Sequence, residues 1–189
     1  MDLQAGAIKA LSLRQPWLWA IFELGKRIEN RNWPCSYRGP IWLHAAKGMT
    51  VQEVADAVDW MSDLGLMKWF QDARWPGADE LDRGGVCGYA EIVNVVPPCE
   101  LPGLRPDTGE LRWHMPEQYG FVLRNVKRFP LLRCAGKQRW FYLPPEIERA
   151  ARAAVVDDVC PCESDIDDIG PGHLPSCRLS DPNYQEAVF

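Results

Sequence analysis

The chain has no run of about 18 apolar residues, the length that a membrane-crossing helix needs, so no transmembrane helix is expected. Its start, MDLQAGAIKALSLRQP, lacks the successive basic, apolar and cleavage regions of a signal peptide, and the protein is read as cytoplasmic with no membrane partner. A secreted disulfide framework is missing as well. The seven cysteines (Cys35, Cys87, Cys99, Cys134, Cys160, Cys162 and Cys177) are odd in number and scattered, which makes reduced thiols the default. No acidic cluster of the kind that holds catalytic metals occurs, and no internal repeat or coiled-coil pattern. No cofactor is implied.

An excess of positive charge is absent too, since the formal net charge is −5. That figure hides an uneven distribution. Residues 155–189 hold eight acids against one base, Arg178, for −7, which leaves 20 bases and 18 acids in residues 1–154, or +2. The acidity belongs to the end of the chain, and a polyanionic ligand is not excluded for the rest. The division predicted is a folded unit over 1–154 and an acidic, Cys- and Pro-containing, flexible tail over 155–189.

What is present is a series of short apolar segments. Residues 8–14 (IKALSLR) predict a strand closed by Gln15-Pro16, and Trp17 to Leu24 a short buried helix with Pro16 in its first turn. IWLHAAK at 41–47 predicts another strand, with Ile41, Leu43 and Ala45 on one face and Trp42, His44 and Ala46 on the other. Thr50 with Glu53 three residues on forms a capping box, and Val51, Val54, Ala55, Val58, Met61 and Leu64 repeat at helical spacing. VCGYAEIVNVV at 86–96, YGFVLRNVKRF at 119–129 and RWFYL at 139–143 predict three more strands, and Pro144-Pro145 opens a last helix through about Ala154. PPCELPGLRPDTGE is too rich in Pro and Gly to be regular. The expected class is α+β, mainly β: a small closed or nearly closed barrel of about six strands with two or three flanking helices.

The remaining strand, GKRIENRNW at 25–33, is unusual. Alternation puts Glu29, Arg31 and Trp33 on one side and leaves Ile28 as the core residue of the other, a row of chemistry where a half-buried strand shows apolar residues. Lys26 and Arg31 suit phosphate, the first as a point charge and the second as a fork. Glu29 stands two strand residues from Arg31, near enough to hold that fork or to accept from a base's amino group. The bland reading of the same residues is a solvated, salt-bridged strand face.

LSLRQPW at 11–17, the K-x-x-E-x-R of Lys26, Glu29 and Arg31, and YRGPIWLHAAK at 37–47 together resemble the ASCH (activating signal cointegrator homology) domain, a branch of the PUA-like superfamily. GYAEIVNVV, YGFVLRNV and RWFYLP resemble its second half, so the likeness spans roughly 8–150. Where members carry Gly two places before the motif lysine, this chain has Leu24, with Gly25 next to Lys26. The resemblance implies a small β-barrel with a cleft between barrel and helix, and a nucleic acid, most often RNA, as ligand.

The expected partner is therefore RNA, another single-stranded nucleic acid or a nucleoside, a modified one included, held in a cleft centred on Lys26, Glu29 and Arg31. Trp17 and Trp33 are the two of the clustered tryptophans expected to stack bases there. His44 and Lys47, at the end of the third strand, join the site if that strand forms a hairpin with the second. Arg124, Lys127, Arg128 and Arg133 are read as a solvated face rather than a phosphate track.

Two other function classes stay open. Some small ASCH proteins hydrolyse the acetyl amide of acetylated cytidine with a lysine, a threonine three residues later and a distant glutamate; here Glu29 stands in the threonine's place. Nuclease activity is also suggested for the family. Lys26, Glu29 and His44 are the catalytic candidates of an enzyme reading, and an adaptor that binds protein is the third class. In the tail, Cys160, Cys162, His173 and Cys177 hold potential zinc ligands at a spacing that fits no standard site, and no metal is assigned.

Overall fold

Alternating apolar residues make KALSL and GPIWLHA the two strands on which the sheet is founded. In the computed structural model, which describes residues 6–65, 77, 79–98 and 109–157, they are β1 (Lys9–Leu13) and β3 (Gly39–Ala45), paired in parallel with Leu11 opposite Leu43 and Ser12 opposite His44. Period two sends Leu11, Leu13, Ile41, Leu43 and Ala45 into one core with Phe121 and Leu123. Ala10 and Trp42 go to the opposite face, where they meet Val86, Tyr89, Phe129 and Phe141.

β2 (Ile28–Arg31), β4 (Gly85–Val96), β5 (Tyr119–Arg133) and β6 (Trp140–Tyr142) complete a six-stranded mixed sheet in the order β2-β5-β4-β3-β1-β6. The two long strands are bent. Their register slips at Val86/Gly88, Tyr89/Glu91 and Ile92/Asn94, and each such irregularity adds twist. The sheet curls until its two ends meet: Arg31 at the end of β2 donates to the Ser12 carbonyl of β1 at 2.6 Å, and the Trp33 ring lies 5.5 Å from that of Trp140 in β6. The product is a half-barrel, mainly β.

Three α-helices of the described residues clothe it. In α1 (Trp17–Glu23), Leu18 and Ile21 face the barrel core, while Trp19 and Ala20 face the cluster that holds Ala57 and Met61 of α2 (Val51–Asp63). Phe22 of α1 comes so close to β4 that a Cβ at Gly88 would lie 2.6 Å from its ring, so only glycine fits there. The capping box at α2 is formed as the sequence predicts: Thr50 Oγ1 accepts from the Glu53 N–H at 3.2 Å and Glu53 Oε2 from the Thr50 N–H at 2.8 Å. α3 (Pro145–Asp157) covers the outer face with Ala151 and Val155.

Several expectations are corrected. β3 does not form a hairpin with β2; it pairs with β1 and β4, and β2 pairs with β5. β5 continues four residues past Phe129, because Pro130, which cannot donate to a ladder, falls in the register irregularity opposite Val86/Gly88 where no bond is needed. The last helix runs on past Ala154, and Val155 is buried. Residues 158–189, with Cys160, Cys162, His173 and Cys177, lie outside the described residues.

Candidate functional site

The charged row of β2 faces inward. Glu29 stands opposite Phe121, a core residue, so the two share the barrel's inner face, while Ile28 joins the cluster beneath α2. Lys26 is only 1% exposed and Glu29 6%. The ammonium of Lys26 donates to the Ile28 carbonyl and, at 3.0 Å, to Glu29 Oε2, and lies 5.7 Å from the centre of the Trp17 ring. Glu29 Oε1 accepts from Arg31 at 3.0 Å, so one carboxylate ties both cations. Burial lowers the pKa of Lys26, with the charge of Glu29 pulling the other way. Lys26, expected to offer its charge to phosphate in the cleft, is enclosed, with its ammonium below the surface and paired with Glu29.

Arg31 is where this network reaches the surface. One of its terminal nitrogens binds both Glu29 and the Ser12 carbonyl, and its Nε has no hydrogen-bond partner among the described residues. Beyond it opens a cleft of about 1060 Å³ at the carboxyl ends of β1 and β3. Seven of the 17 described residues that line it are Lys or Arg, and none is Asp or Glu. Arg14, Arg31 and Arg83 have carboxylate partners that do not line the cleft: Glu53, buried Glu29 and exposed Asp79. Lys47, Arg133, Lys137 and Arg139 are exposed and have no carboxylate partner among the described residues. Such a surface concentrates positive potential and attracts anions.

The floor of the cleft is neutral. His44, buried, bonds the Cys134 carbonyl through Nε2 at 3.2 Å and Ser12 Oγ through Nδ1 at 3.2 Å. A carbonyl only accepts, so Nε2 carries the proton of the neutral ring, and bare Nδ1 and the Lys137 carbonyl are alternative acceptors for the single proton of the Ser12 hydroxyl. Burial holds the pKa of His44 below its ordinary value, partly offset by the Cys134 hydrogen bond. The serine also reaches the Lys137 carbonyl at 3.0 Å, and a Cβ on Gly136 would come within 2.3 Å of the His44 ring. Cys134 and Gly136 therefore lie pressed onto His44, and glycine at 136 makes the approach possible.

Of the residues singled out from sequence, Arg31, Trp33, His44 and Lys47 line the cleft. Lys26 and Glu29 stand behind it, and Trp17 packs half-buried in the cluster of α1 and α2. Of the basic stretch read as a solvated face, Arg128 pairs with Glu23 and Asp82, whereas Arg133 lines the cleft. Arg14, Arg83, Lys137 and Arg139 were not singled out. A signal existed in RCAGKQR at 133–139, three bases and no acid around a glycine between two strands.

Among the described residues no group of three His, Cys, Asp or Glu is placed to hold a metal ion, and no helix is long and apolar enough to cross a membrane. A family model, the ASCH domain, matches residues 11–129. The matched segment runs from within β1 through most of β5 and ends before Arg133, Lys137 and Arg139. No curated protein matches the chain.

Proposed function

The chain belongs to the ASCH domain family, and from that premise we propose that it binds RNA or another single-stranded nucleic acid along the cationic cleft, as a cytoplasmic protein. The observation that carries this is the composition of the cleft wall: seven Lys and Arg and no carboxylate among the described lining residues, four of the cations without an acidic partner among the described residues. A chain of phosphates matches a wall of that kind, because each neutralised phosphate releases a condensed counterion and adds to affinity. Arg31, held by Glu29 and the Ser12 carbonyl, supplies a fixed fork; Lys47 and Arg133 supply adaptable charge. In this reading Lys26 and Glu29 position Arg31 and do not touch the ligand. Hydrolysis through Lys26 and Glu29 finds less support, since their charged ends are paired with each other below the surface.

Fluorescence anisotropy with labelled single-stranded RNA, single-stranded DNA and duplex RNA, repeated across salt concentrations, tests the proposal. With Arg31, Lys47, Arg133 and Lys137 engaged on phosphates, log affinity should fall against log salt with a slope near −3, at roughly −0.7 per phosphate on a single strand. A slope near zero, or no binding at low salt, overturns it. Product analysis on the same samples should return intact strands.

A further inference from the structure

One wall of the cleft differs from the rest. Trp33, just past β2, has its ring fixed from behind by two edge-to-face contacts, to Phe121 at 5.1 Å and 79° and to Trp140 at 5.5 Å and 84°. Those two rings are themselves stacked, 6.2 Å apart and 14° from parallel. The indole is therefore locked into the core at its back and open at its cleft side. Across that side lies Arg139, its guanidinium carbon 5.8 Å from the centre of the Trp33 ring. Arg139 has φ of 57°, a left-handed conformation that residues other than Gly, Asn and Asp seldom adopt. Where glycine would suit the backbone, the chain places an exposed arginine whose head lies over the Trp33 indole.

We propose that Trp33 and Arg139 are the two walls of a slot for one unpaired nucleobase, which makes the cleft selective for single strands over duplexes. This rests on the nucleic-acid reading above. Both walls are planar and stack on bases, the indole as an aromatic surface and the guanidinium as a planar cation. A base between them needs walls about 7 Å apart, twice the ~3.5 Å of van der Waals contact, so Arg139, whose guanidinium carbon is 5.8 Å from the ring centre, has to retreat by at least about 1 Å. An exposed, unbranched side chain can do that; the locked indole need not move. Lys47, Arg133 and Lys137, on the same cleft, are then available for the flanking phosphates. A paired base cannot enter, because its two faces are covered by its neighbours in the stack and it would first have to flip out.

The test uses the full chain and three labelled probes of equal length: single-stranded RNA, duplex RNA, and a strand with the same phosphates whose central residues are abasic. Single-stranded RNA should bind about 5- to 150-fold more tightly than the abasic strand, the ratio that one stacked base supplies. A 2-aminopurine in the RNA should be quenched on binding. Arg139→Gly relieves the left-handed backbone, so it is expected to fold, and it should abolish the preference for a base while lowering affinity for the abasic strand only slightly. Arg139→Lys keeps the charge and should lose the preference as well. Equal affinity of wild-type protein for RNA and the abasic strand overturns the slot while leaving the phosphate-binding cleft intact. Equal loss on all probes in Arg139→Gly makes Arg139 a phosphate contact only, which also overturns the slot. No binding of any probe overturns the underlying reading and the slot with it.

Discussion

Two groups of cations lie within one end of this barrel and behave as opposites. Lys26 is sealed in, with its ammonium hydrogen-bonded to the Ile28 carbonyl and Glu29. Lys47 and Arg133 are exposed on the cleft, without a carboxylate partner among the described residues. Arg31 belongs to both, 20% exposed, tied to Glu29 on one side and lining the cleft on the other. The difference teaches that a basic residue in a recognisable motif is not thereby a ligand contact. A buried ion pair holds a scaffold in register, and desolvation makes it costly to break; an unpaired exposed cation contributes little to folding and is available to a partner.

The largest effect expected is on stability. Lys26→Ala leaves Glu29 buried with one cation fewer and should cost about 3–5 kcal/mol, read from denaturant unfolding, whereas Lys47→Ala should fall within about 0.5 kcal/mol of wild type. Similar losses in the two variants would erase the distinction between the regions. Next comes binding. Lys47→Ala combined with Arg133→Ala should weaken RNA binding and reduce the salt slope by roughly 1.4, two phosphate contacts' worth on a single strand, with the unfolding midpoint unchanged. An unchanged slope would place the ligand elsewhere.

His44 sharpens the comparison through pH. Its folded pKa lies below the ordinary 6.5 because it is buried, so below that pH the unfolded chain takes up a proton that the folded chain resists. Stability contributed by the neutral ring is complete above about pH 6.5 and should decline as the pH falls from there toward the lowered folded value. In His44→Gln this part of the pH dependence should vanish; if the two profiles coincide, the ring is not held neutral.

The smallest effect concerns residues 158–189, which hold seven acids and one base, or −6. Ending the chain after Asp157 should raise RNA affinity, most at low salt, because the Debye length is about 30 Å at 0.01 M and about 8 Å at 0.15 M. Affinity equal to wild type at every salt would show that the tail does not act on the cleft. Loss of bound zinc on truncation would instead make Cys160, Cys162, His173 and Cys177 ligands.

The local elements of this protein were written in neighbouring residues. The capping box of Thr50 and Glu53, the alternation of Ile41, Leu43 and Ala45 against Trp42, and the short apolar runs that became five of the six strands all depend on contacts a few positions apart, or on the fixed period of a strand. Those interactions form in the same way whatever the rest of the chain does, so the sequence alone determined the elements and the mainly β class. Tertiary structure decided which way the charged face of β2 looks. That depends on pairing with β5, about ninety residues later, which set Glu29, the carboxylate that Lys26 pairs with, opposite Phe121. It also decided that Arg14, Arg83 and the 133–139 segment would meet Arg31 and Trp33 on one cleft, since the two ends of a sheet touch only when three register slips have curled it. Charge shows in a sequence, but the desolvation that separates a structural ion from a ligand-binding one exists only once distant strands have met.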